Sequence, residues 1–89
     1  MLGIKIKIYG IVQRVGFRHF LLKNAEDLNI TGYVKNDEEG SVSVFAVGEK
    51  EQLDKFVQKC KKGPERAKVD LVEVNEAEAI NFKDFEIRR

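Results

Sequence analysis

Apolar and polar residues alternate at the start of the chain: Ile4, Ile6 and Ile8 are separated by Lys5 and Lys7 and followed by Tyr9. A period of two marks a strand with one buried face, and Gly10 is read as its end. The period then lengthens. From Phe17, apolar residues fall at Phe20, Leu21, Ala25 and Leu28, a helical stripe suited to packing on a sheet. Asn29 is its expected stop, and Ile30 opens the next strand. "ITGYVKN" and "GSVSVFAVG" are rich in β-branched and aromatic residues and flank the turn-forming "DEEG". They predict an antiparallel hairpin of Ile30–Asn36 with Ser41–Val47.

A second helix is expected over Glu49–Lys62, where Leu53, Phe56, Val57 and Cys60 share one face. Glu49 and Glu51 at its start, with Lys59, Lys61 and Lys62 at its end, suit the helix dipole. Gly63-Pro64 stops it. Ala67–Val74 reads as a strand with Ala67, Val69 and Leu71 on one face, "NEAEAIN" as a polar connection, and Phe85 and Ile87 as a short final strand. This order predicts an α+β, ferredoxin-like βαββαβ sandwich: an antiparallel sheet with two helices on one face and a short C-terminal fifth strand. Residues 1–89 are expected to form a single domain.

Composition narrows the choices without deciding among them. Sixteen basic residues against fifteen acidic ones give a net charge of +1, too little basic excess for general nucleic-acid binding. One cysteine excludes an internal disulfide, and there is no Cys/His cluster with metal spacing. Lysines interrupt the apolar N-terminus, and no stretch reaches membrane-spanning length. The expectation is a cytoplasmic monomer with no metal, no cofactor and no nucleic-acid or membrane partner. Such a fold serves many functions, so a site must decide.

Charge distribution supplies one. The first 25 residues hold five basic residues and no acid, whereas the other 64 hold 11 basic and 15 acidic. A solvated surface is the plain explanation for scattered charge. However, Arg18 and His19 fall in the first turn of the expected helix, where the dipole disfavours cations, and Arg14 and Gly16 lie in the loop feeding that turn. A strand, a loop and a helix N-terminus carrying an arginine form an anion site, with phosphate the best match to the arginine fork. The spacing is not that of a nucleotide P-loop and lacks its Lys-Ser/Thr pair, so the anion is small and the site metal-free.

"GIVQRVGFR" resembles the acylphosphatase signature Gly-x-Val-Gln-Gly-Val-x-Phe-Arg. "GYVKN" before "DEEGSVSVFAVG" is similar to that family's second signature, and "GPERAKV" and the terminal Phe-x-Ile also fit, so the resemblance spans essentially the whole chain. It implies hydrolysis of the carboxyl–phosphate bond of small acyl phosphates to a carboxylate and inorganic phosphate. Arg18 would bind the phosphate and Asn36 would hold the attacking water. The loop of Gln13, Arg14, Val15, Gly16 and Phe17 would wrap the phosphate oxygens with backbone N–H groups.

The chemistry is self-consistent. A carboxylate leaves readily without a strong general acid, and phosphoryl transfer needs chiefly positioning and charge stabilisation. No catalytic histidine, covalent intermediate or metal is expected. His19 reads as a helix residue beside the site, Cys60 as a buried thiol, and Phe17 and Phe20 as core.

Two residues depart from the expected pattern. Arg14 stands where the signature has glycine, a residue that often marks positive φ, and Asp37 sets a negative charge beside Asn36. The Arg14 change supports an alternative, a phosphate- or carbamoyl-phosphate-binding module with little turnover. A related domain begins the hydrogenase-maturation carbamoyltransferase, but there proline usually follows the motif arginine; His19 in that place, and an end at Arg89, favour a stand-alone protein. An RNA-binding sheet would want exposed aromatics where the first strand has lysines.

Overall fold

The computed structural model describes residues 1–89. The elements in chain order are β1 (Leu2–Ile11), α1 (Phe17–Asp27), β2 (Thr31–Asn36), β3 (Val42–Gly48), α2 (Lys50–Lys62), β4 (Lys68–Ala77) and β5 (Phe85–Arg88). The sheet order is β4-β1-β3-β2-β5, the expected ferredoxin-like βαββαβ arrangement with a fifth strand.

The inner sheet face carries Ile6, Ile8, Val34, Val42, Val44 and Ala46. These join Phe17, Leu21 and Ala25 of α1 and Leu53, Phe56 and Cys60 of α2 in one buried cluster. Both helices therefore cover the same face, and burial of a side chain such as Leu21 or Phe56 contributes about 2 kcal/mol. Helix α1 ends as its sequence suggests. Asn29 takes the left-handed conformation at φ 56°, while the N–H groups of Asn29 and Ile30 donate back to Glu26 O at 3.3 Å and Ala25 O at 2.8 Å. That pairing is a Schellman stop.

Four expectations about the sheet change. First, it is mixed: β1 to β4 pair antiparallel, but β5 lies parallel to β2, with Gly32 opposite Phe85 and Val34 opposite Ile87. β4 ends at the end of the sheet where β2 begins, so a connection crossing to the far edge delivers β5 in β2's direction.

Second, Gly10 does not end β1. The strand continues through Ile11, with a register shift between Tyr9 and Gly10: Tyr9 faces Leu71 and Gly10 faces Val69. Asp70 is thus an extra residue, a β-bulge. Gly10 has φ 131°, and a Cβ there would lie 2.1 Å from Lys68 O, so only glycine fits. Third, the bulge moves Leu71 to the outer face, where it is exposed, while Val69 and Val72 pack toward the core. Ala67, Val69 and Leu71 therefore do not share a face.

Fourth, "NEAEAIN" is not only a connection. Asn75–Ala77 belong to β4, and the chain beyond crosses the outer face. There Phe82 meets Phe45 at 5.3 Å and Tyr33 at 6.0 Å between ring centroids, and Phe45 is buried.

Candidate active site

The segment after β1 begins with a buried anchor, Val12, and ends with another, Phe17; between them Arg14 and Gly16 are exposed and Gln13 and Val15 half-buried. Two residues of this short span have positive φ: Arg14 at 63° and Gly16 at 81°. Gly16 is the N-cap of α1 and supplies no side-chain cap, and the first turn contains no acid. None of the N–H groups of Gln13, Arg14, Val15 and Gly16 donates to another backbone carbonyl. Left-handed residues alternating with ordinary ones turn successive N–H groups toward a common centre, an anion-binding nest, and the free donors at the start of α1 add to it.

Arg18 is half-buried in the first turn of α1. Neither Arg18 nor Arg14 belongs to an ion pair; the three salt bridges are Lys7–Glu39, Lys50–Asp54 and Arg88–Glu86. The positive charge of the loop is therefore uncancelled. Arg14 occupies a conformation that costs a residue with a Cβ about 1 kcal/mol, which explains why the signature has glycine there.

Asn36 is the last residue of β2 and lies on the inner face with Val34. β1 and β2 both pair antiparallel with β3, so the end of β2 and the loop leaving β1 sit at the same end of the sheet. Asn36 Oδ1 is the one buried side-chain polar atom in the chain with no hydrogen-bond partner. Most such atoms in folded proteins are satisfied, and an orphan calls for a role.

Gln13 draws these parts together. Its Nε2 donates to Asp37 O at 2.7 Å and Ser41 O at 2.8 Å. The side chain thus ties the loop to the hairpin that carries Asn36, a task with no local signal, since the partners lie 24 and 28 residues away. The Asp37 carboxylate is also accounted for. It accepts from Ser41 Oγ at 2.8 Å and Ser43 Oγ at 2.6 Å, so its charge is held within the hairpin rather than presented to an anion.

His19 is exposed, with no acid bonded to its ring. Cys60 is buried among apolar side chains, and that burial pushes its thiol far above the ordinary range. The surface clefts lie elsewhere. One of about 370 Å³ opens on the outer sheet face among Lys5, Lys7, Lys35 and Glu73, and none of the clefts includes Arg18 or Asn36. A small anion needs a ring of donors, not a deep pocket.

An anion nest at a helix N-terminus, mounted on a ferredoxin-like sandwich beside an unpartnered asparagine, defines the class. The comparisons give the family. The acylphosphatase family model matches residues 4–87. An acylphosphatase of Archaeoglobus fulgidus is 47% identical over 87 residues, covering 98% of both chains. The crystal structure of the Bacillus subtilis acylphosphatase superposes with a TM-score of 0.96 at 34% identity, covering all of both chains. Full-length HypF, in a phosphate- and nucleotide-bound form, matches with a TM-score of 0.88 at 34% identity, over 99% of this chain but 12% of that one. The chain belongs to the acylphosphatase family.

Proposed function

We propose that the chain hydrolyses small acyl phosphates to a carboxylate and inorganic phosphate, using Arg18 and Asn36 and no metal. The observation that carries the reading is the buried, unpartnered Asn36 Oδ1 beside a loop whose four N–H groups have no backbone partner. Acceptor and donors occur together at one end of the sheet, as water attack on a bound phosphate requires.

In this mechanism the N–H groups of Gln13 to Phe17 and the Arg18 guanidinium hold the phosphoryl oxygens. The charge that spreads over those oxygens as the acyl oxygen departs is matched by donors already in place. The Asn36 side-chain amide hydrogen-bonds the attacking water and holds it with a water lone pair facing phosphorus, opposite the leaving carboxylate. The new P–O bond forms as the acyl P–O bond breaks. The bonding pair leaves with the carboxylate, and the water's proton passes to a phosphate oxygen. No protein group gains or loses a proton, so His19 has no step. Burial keeps Cys60 from acting as a nucleophile.

The acylphosphatase relatives lend no support to a binding module with little turnover. The enzyme is read as a cytoplasmic monomer; its single cysteine, free and buried, suits a reducing compartment. No helix is long and apolar enough to cross a membrane.

The test is hydrolysis of benzoyl phosphate in the presence of a chelator. Arg18→Ala should lose both affinity and turnover, because a charge-assisted contact disappears from ground and transition states alike. Asn36→Ala should lower kcat with little change in KM. Full activity of Asn36→Ala, or loss of wild-type activity on chelation, would overturn the mechanism.

A further inference from the structure

Arg14 has no role in the mechanism above beyond its backbone N–H, and the same loop geometry would be reached more easily with glycine. Its side chain is exposed and enters no ion pair and no hydrogen bond within the chain. Of the hairpin acids, Asp37 is held by Ser41 and Ser43 and Glu39 by Lys7, while Glu38 is exposed and makes no contact with Arg14. Arg14 belongs to the loop whose N–H groups have no backbone partner, and a nest turns such groups toward the bound anion. The exposed Arg14 side chain therefore leaves the backbone at the rim of that loop. Beyond that rim lies the part of the substrate that is not phosphate.

We propose that Arg14 selects acyl phosphates whose acyl group carries a second negative charge, such as a carboxylate, by pairing with it at the mouth of the site. The inference rests on the acylphosphatase reading and deepens it by naming a substrate class. Arg14 acts here as a specificity residue and moves no atom of the reaction.

The experiment compares benzoyl phosphate with its 3-carboxy and 4-carboxy derivatives as ratios of kcat/KM. A ratio cancels whatever a variant does to the shared phosphate site. The wild type should favour a carboxylated substrate by roughly fivefold more than Arg14→Gly does, the size of an exposed ion pair. Arg14→Lys should keep most of that preference, Arg14→Glu should reverse it, and salt near 1 M should erase it. If Arg14→Gly proves too inactive to assay, Arg14→Gln supplies the neutral comparison. Equal ratios in the wild type and the neutral variant would overturn the inference and leave the enzyme reading standing. Failure of the wild type to hydrolyse any of the three substrates would overturn both.

Discussion

Arg14 and Asn36 each hold the protein in a state its stability alone would not favour. At φ 63° Arg14 is strained, so Arg14→Gly should raise stability by about 1 kcal/mol, read as a shift in the urea midpoint. Asn36 Oδ1 is buried with no partner from the chain, a polar atom kept out of bulk water at a cost to stability. Asn36→Leu, close in volume, should therefore be more stable than the wild type by about 1 kcal/mol while losing turnover. Equal or lower stability would mean that Oδ1 is satisfied in solution. Cys60 gives an opposite case: buried in the core, it should resist thiol reagents until the chain unfolds, and fast labelling of the native protein would contradict that burial.

Elements were legible wherever the pattern was local. Ile4, Ile6 and Ile8 announced β1, the Leu53–Cys60 stripe announced α2, and Asn29 marked the end of α1. What escaped depends on partners far along the chain. The bulge at Asp70 arises from pairing with Gly10, and nothing in "KVDLV" alone shows that alternation reverses there. Likewise, the Arg18 and Asn36 candidates were visible in their motifs, while the Gln13 tie between their two elements was not. Gln13→Leu leaves Asp37 O and Ser41 O each without one donor. It should cost about 1–2 kcal/mol and lower kcat, because loop and hairpin lose their fixed spacing. An unchanged kcat, measured on protein shown to be folded, would separate the tie from catalysis.

On the scale of the whole molecule, the two sheet faces do different work. The inner face holds the core and presents the site at one end. The outer face is closed in part by Phe82, a lone aromatic in a polar run that gives no periodic signal. Phe82→Ala should expose Phe45 and cost about 2 kcal/mol, seen in thermal melts, with kcat nearly unchanged. The unpaired loop donors at Gln13–Gly16 reach further than the chemical step. Inorganic phosphate, released at each turnover, offers those N–H groups the same oxygens as the substrate. At about a hundred times its Kd it should add about 2.7 kcal/mol to folding stability, and Arg18→Ala should flatten that response. The native state would then be fortified by its own product: accumulating phosphate slows the enzyme by competition and, in the same act, protects it from unfolding.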